Sequence, residues 1–172
     1  SFGVPGYVVH ERLGTGARAT IWLVASQQTG GLFALKRVTR RATDDNRFLN
    51  QARNDFRISS MLDNPHLRRS YELRRIRRLF QLRELHIIME YVDGRTLEEI
   101  GPLGTHGLVG IFVKVAKGLQ ALHQMGYVHA DIKPNNIILD ANRNPKIIDF
   151  GQSCPIGHIK NRIQGTPDYI AP

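Results

Sequence analysis

The chain has 172 residues, 41% hydrophobic and 23% charged with 16 Gly and 8 Pro, a balance that excludes disordered, collagen-like and coiled-coil chains. Twenty-four Lys and Arg against 15 Asp and Glu give a net charge of +9, which favours polyanionic partners without choosing among nucleic acid, anionic lipid and acidic protein. The single cysteine, Cys154, rules out an intrachain disulfide and a Cys-rich zinc site and fits a reducing, cytoplasmic compartment, and no apolar stretch reaches the roughly 18 residues of a membrane span.

Residues 7–13 and 20–25 are rich in β-branched and aromatic side chains, with Gly14 and Gly16 between them, and read as strand, glycine turn and strand. Thr29-Gly30-Gly31 turns the chain into a third strand over 32–38. Asp44 and Asp45 are candidate caps of a helix running to about Leu62, because Phe48, Ala52, Asp55, Ser59 and Leu62 recur along one face. Asp55 is the charge on that apolar stripe, and a charge there needs a partner or a job. Asn64-Pro65 ends the helix, and 67–90 reads as two more strands, the first unusually basic. After Asp93-Gly94, a short piece at 96–100 leads to a long helix over 106–125 with Leu108, Ile111, Val115, Leu119 and Leu122 as its apolar stripe and Gly126 as its stop. Strands at 137–139 and 146–148 flank a turn at 141–144. A strand-rich first half and a helix-led second half predict an α+β fold with a joint near 91–95, where a cleft would take a small ligand.

Gly14-Thr15-Gly16-Ala17-Arg18-Ala19 departs from GxGxxG by Ala19, and its glycines let backbone N–H groups approach phosphate oxygens, although a plain β-turn reads the same way. Lys36 ends the apolar run Leu32-Phe33-Ala34-Leu35, where a surface lysine is the simpler reading. The string His129-Ala130-Asp131-Ile132-Lys133-Pro134-Asn135-Asn136 packs more chemistry into one loop. Asp131 can accept a proton from a hydroxyl, Lys133 can neutralise a migrating anion and Asn136 can offer an oxygen to a hard cation. Asp149-Phe150-Gly151 adds a second acidic metal ligand after the next strand. Each piece has a bland reading as a polar loop or turn; their joint order does not.

With these motifs, and with Gly165-Thr166-Pro167-Asp168-Tyr169-Ile170-Ala171-Pro172 at the end, the chain resembles the eukaryotic-type protein kinases of the serine/threonine kind. The resemblance implies a two-lobe fold: 1–92 as a β-rich small lobe with one main helix and the hinge, and 93–172 as the first part of a helical large lobe. It implies ATP and Mg²⁺ as cofactors and a protein Ser/Thr hydroxyl as acceptor. Gly14, Thr15, Gly16 and Ala19 would cover the phosphates, Lys36 would hold them, and Ile21, Ala34 and Ile138 would wall the adenine slot. Met89 matches the gatekeeper, Glu90 to Val92 the hinge, Asp131 the base, Lys133 with Thr166 the serine/threonine pattern, and Asn136 and Asp149 the metal ligands.

Three departures qualify the match. No glutamate lies between Glu11 and Glu72, so Asp55 takes the place of the usual acidic partner of Lys36; being about 1.5 Å shorter, it needs the helix closer or a bridging water. Ala130 replaces an arginine that many relatives neutralise with a loop phosphate, and 152–164 offers only Ser153 as an acceptor, so activity should not depend on phosphorylation there. The family continues with further helices after an Ala-Pro-Glu motif whose glutamate is absent here, so the expectation is an incomplete large lobe with apolar surface uncovered on the 106–125 helix. Ala19, Asp55 and that incompleteness leave open a second reading, a pseudokinase-like or truncated module that binds nucleotide or a partner without turnover. Finally, Arg68, Arg69, Arg74, Arg75, Arg77, Arg78 and Arg83 form either a docking surface for an acidic partner or, the favoured reading, a solvated strand face; nucleic acid is disfavoured because aromatic interleaving is thin.

Overall fold

A computed structural model describes residues 3–40 and 46–159, together with Tyr169. Strands β1 (Tyr7–Thr15), β2 (Ala19–Ser26), β3 (Leu32–Thr39), β4 (Ser70–Arg78) and β5 (Gln81–Glu90) form one antiparallel sheet in the order β1-β2-β3-β5-β4. Period-two alternation gives the sheet two apolar faces. Val24, Leu35 and Ile88 pack with Val4 on one side; Ala34, Val38, Leu85, Ile87 and Met89 pack with Leu49 and Ala52 of helix α1 (Arg47–Ser59) on the other.

Helix α1 carries the expected stripe, with Ala52, Asp55 and Ser59 buried and Phe48 partly so, but it ends at Ser59 rather than near Leu62, which is buried just beyond it. Its N-cap residue is Asn46, which makes no side-chain cap bond; the expected caps Asp44 and Asp45 lie outside the described residues. After β6 (Gly94–Thr96), a one-turn helix α2 (Leu97–Ile100) starts in a capping box: Glu99 N–H donates to Thr96 Oγ1 at 3.2 Å and Thr96 N–H to Glu99 Oε2 at 2.8 Å. Helix α3 (Thr105–Gln124) then runs to Gly126, whose φ of +85° carries the chain out of the helix. Strand β7 (Tyr127–Val128) pairs with β10 (Cys154–Pro155), and β8 (Ile137–Asp140) with both β6 and β9 (Pro145–Ile147). Gly94 is required in that small sheet, because a Cβ there would sit 2.1 Å from the carbonyl oxygen of Leu139.

The architecture is α+β, as expected, and one buried cluster draws on both halves of the chain. Ile58, Leu62 and Leu67 share one buried cluster with Ile111, Val115 and Leu122 of α3 and with Ile137, Leu139, Ile147 and Phe150. Leu67 bridges Ile147 in parallel, with Ile147 N–H donating to His66 O at 2.8 Å and Arg68 N–H to Ile147 O at 2.9 Å. On α3, Ile111, Val115 and Leu122 face this core while Val109, Phe112 and Val113 are at least half exposed, so the expected uncovered apolar surface is present. Arg68 departs furthest from the solvated-face reading, at 7% exposed and turned inward because the Leu67–Ile147 bridge holds its backbone against the small sheet, while Arg74 and Arg83 are half-buried. Arg69, Arg75, Arg77 and Arg78 are exposed as expected.

Candidate active site

The two subregions meet at a cleft of about 610 Å³. Its roof comes from the turn between β1 and β2, with Leu13, Gly14, Thr15, Gly16, Ala19 and Ile21; Ala34 and Ile138 wall it, and Glu90 to Val92 close one end. Beside Gly14 a Cβ would meet nothing within 4 Å, and beside Gly16 only Ala19 O at 3.7 Å, so the glycine turn leaves an open cradle. A smaller pocket of about 220 Å³ continues past Lys36 beneath that turn and is bordered by Asp131, Asp149 and Gly151.

Lys36 organises the charged end. Strand β3 delivers its Nζ to Asp55 Oδ2 at 2.7 Å and Asp149 Oδ1 at 3.3 Å. The shorter aspartate therefore reaches the lysine directly, without a bridging water, because α1 lies close against the sheet. Burial alone would pull the Lys36 pKa down, but the carboxylates of Asp149 and Asp55 outweigh it and hold the ammonium above its ordinary range. Reciprocally, the Lys36 charge, with help from Arg68 and the Gly151 N–H, overrides burial and holds the Asp149 carboxyl at about 2. Asp55 uses its second oxygen too: Oδ1 accepts the Phe150 N–H at 3.0 Å, so one buried carboxylate ties the sheet lysine to the Asp149 loop.

The catalytic-loop candidates lie below. Lys133 Nζ is 3.3 Å from Asp131 Oδ2. Asn136 donates its Nδ2 to Asp131 O at 2.8 Å and to Asp131 Oδ2 at 3.3 Å, which leaves its Oδ1 as the atom able to take a cation. Ala130 (φ +61°) and Asp149 (φ +64°) both adopt left-handed backbone, a strained conformation concentrated at functional sites. His129 is buried under this loop, its ring against Phe150 at 5.3 Å between centroids, and burial depresses its pKa, which suits packing rather than proton transfer.

The residues fit a metal-bound nucleotide. Apolar walls suit a base, the open glycine cradle and Lys36 suit phosphates, and the 46% exposed Asp149 side chain with Asn136 Oδ1 supplies two oxygen donors. Among the described residues no three His, Cys, Asp or Glu side chains converge on a metal position, so a cation here would share its coordination with phosphate oxygens, the usual habit of Mg²⁺.

Not every expected residue lines the cleft. Met89 is fully buried within the sheet core, and Asp55 sits beneath Lys36 at 1% exposure. Glu90 N–H donates to Arg69 O at 2.9 Å, and its carboxylate pairs with Lys146, so from Glu90 itself a ligand could draw only on the carbonyl. Thr166, with all of 165–172 except Tyr169, lies outside the described residues. Two residues were missed. Arg68 lines the cleft with its Nε buried and without a hydrogen-bond partner. Asn54 donates its Nδ2 to the carbonyls of Phe150, Gly151 and Ser153 at 3.2, 3.1 and 2.8 Å, clamping the Asp149 loop to α1.

The family model described as the protein kinase domain matches residues 7–172. This chain belongs to the protein kinase family. Among curated relatives it is 29% identical to a serine/threonine-protein kinase, drp72, of Corynebacterium efficiens over 98% of this chain. It is 30% identical to the SNF1-related protein kinase catalytic subunit alpha KIN12 of Arabidopsis thaliana over 98%, and 30% identical to the serine/threonine-protein kinase PrkC of Bacillus subtilis over 96%. The kinase chain spans 34, 34 and 26% of those relatives' own lengths. No helix among its described residues is long and apolar enough to cross a membrane.

Proposed function

We propose that this kinase chain belongs to an ATP-dependent serine/threonine protein kinase, with 1–92 as small lobe and hinge and 93–172 as the front of the large lobe. The observation that carries the reading is the Lys36–Asp55 pair at 2.7 Å with Asp149 at 3.3 Å, because it assembles strand, helix and metal-side loop around one phosphate-sized space. Lys36 holds the phosphates, and Gly14, Thr15, Gly16 and Ala19 cover them. Ile21, Ala34 and Ile138 grip the base, and Val92 orients it with Glu90; Met89 acts from behind the wall. Asn136 and Asp149 would hold Mg²⁺, which when bound would offset the charge developing on the transferred group. Asp131 accepts the proton of the substrate hydroxyl as that oxygen bonds to the γ-phosphorus, the bond to the β-phosphate oxygen breaks and ADP leaves. Lys133, beside Asp131, neutralises the moving phosphoryl oxygens, with Thr166 completing the serine/threonine pattern.

The acceptor is a protein Ser or Thr, and the location is cytoplasmic, which the lone Cys154 favours. An acidic docking partner would meet only the exposed part of the 68–83 run, since Arg68 faces the cleft. Transfer of label from γ-phosphate-labelled ATP to a generic basic protein, abolished by Asp131→Asn and by Lys36→Met, is the expected result. Nucleotide-dependent thermal stabilisation without any labelled product would instead establish the binding-module alternative.

A further inference from the structure

The β4–β5 hairpin ends in a feature that phosphoryl transfer does not use. Arg78 pairs with Gln81 across the end of the ladder, so the two-residue turn is Leu79-Phe80. Leu79 has φ +48° and Phe80 φ +65°, the sign required at both positions of a type I′ turn, where Asn-Gly is the favoured pair. Leu and Phe are poor choices for such backbone, and both side chains stand in solvent: Leu79 is 84% exposed and Phe80 is completely so. Among the described residues nothing offsets either cost.

The surroundings are cationic. From Leu73 to Arg83 the sequence has no acid and five arginines. The hairpin's acids lie further back and are engaged: Glu72 with Arg74 at 2.6 Å, Glu84 with Arg37 at 2.6 Å and His86 at 2.8 Å, and Glu90 with Lys146. Arg75, Arg77 and Arg78 are exposed around the tip.

We propose that the Leu79-Phe80 tip, with its arginine collar, docks this chain onto an anionic lipid surface, the two apolar side chains entering the interface while Arg75, Arg77 and Arg78 contact lipid phosphates and carboxylates. Shape selects lipid over an acidic protein. The tip is convex and two side chains wide, whereas a stable protein interface needs about 800 Å² from each partner. A bilayer interface asks only for an apolar wedge beside basic residues. Five strand steps of about 3.4 Å separate Phe80 from Leu85, which lies level with Ala19 of the cleft roof, so docking leaves the near edge of the nucleotide cleft roughly 17 Å away along the strands and open. The inference does not depend on the kinase reading, and its test involves no nucleotide.

The experiment is cosedimentation of the 172-residue chain with phosphatidylcholine vesicles, neutral or carrying about a third phosphatidylserine. The expected result is partitioning onto the anionic vesicles on the order of tenfold stronger than onto neutral ones, weakening as salt is raised. A Leu79→Asn/Phe80→Gly protein should lose that binding by a similar factor while melting at a higher temperature, since the new pair suits the turn; damage to the fold would lower the melt instead. Arg77→Gln/Arg78→Gln should weaken binding and flatten its salt dependence. The proposal is overturned if the wild-type chain ignores anionic vesicles, if it binds neutral ones equally, or if the Asn-Gly protein still binds. Binding to poly-glutamate but not to vesicles, lost on Arg→Gln substitution, overturns it in favour of an acidic protein.

Discussion

Asp55 is the residue on which the site turns, because its two oxygens serve two elements: Lys36 on the sheet and the Phe150 N–H on the loop that carries Asp149. At 1% exposure it cannot exchange either partner for water. Asp55→Asn keeps the shape but turns a neutral amide toward an ammonium, and should cost about 3 kcal/mol in a denaturant titration, less whatever Asp149 retains for Lys36. By displacing Lys36 it should also lower phosphate transfer about a hundredfold. Asp149 makes a pH prediction with a definite sign. Its carboxyl is held at about 2 against an ordinary 3.8, so the unfolded chain takes up this proton first as the solution is acidified. The stability it contributes is complete above about pH 4 and is lost as the pH falls toward about 2. Asp149→Asn should therefore flatten the acid limb of a stability–pH curve below pH 4, and an unchanged limb would show that Lys36 does not hold the group ionised.

Elements differed in how far the sequence disclosed them. The glycine turn, Asp131, Asn136 and Asp149 stood out because each sits in a turn or loop with its own local spacing, whereas Lys36, in mid-strand on β3, read as a surface lysine until the family resemblance gave it a role. Asp55 was readable as a charge on an apolar stripe, and its directness of contact was not, since how closely α1 approaches the sheet depends on packing rather than on the helix itself. Arg68 was hidden in a basic run: nothing in a string of arginines says which one a tertiary bridge will turn inward. β6, β7 and β10, of two or three residues each, carry no periodicity and exist only through their partners. Loop structure also decides regulation. Ser153 is 4% exposed and donates its Oγ to His129 O at 3.2 Å, so a modifying enzyme could not reach it without opening the loop. Ser153→Ala should lose about 1 kcal/mol of stability and keep its phosphate-transfer rate. Ser153→Asp would bury an unpaired charge and should be the worse protein; restored activity in the aspartate variant would mean that phosphorylation of this loop matters after all.

For the whole molecule, the buried cluster that includes Ile58, Leu62, Leu67, Ile111 and Ile147 joins the two subregions at the back of the cleft, while Gly14 of the glycine turn at the front borders open space. The segment 66–68 holds Ile147 by two backbone hydrogen bonds and packs Leu67 into that cluster. This bridge works as an axle. With the rear edge pinned, the subregions can part only by rotating about it, and displacement grows with distance from Leu67, so the roof over the phosphates sweeps furthest while the Leu67–Ile147 contact barely moves. Hydrogen exchange should register that gradient directly, with the Arg68 and Ile147 amides among the slowest in the chain and those of 14–18 among the fastest. Nucleotide entry and ADP departure would then proceed through the front lip, leaving intact the charged contacts of Lys36, Asp55 and Asp149 nearer the axle.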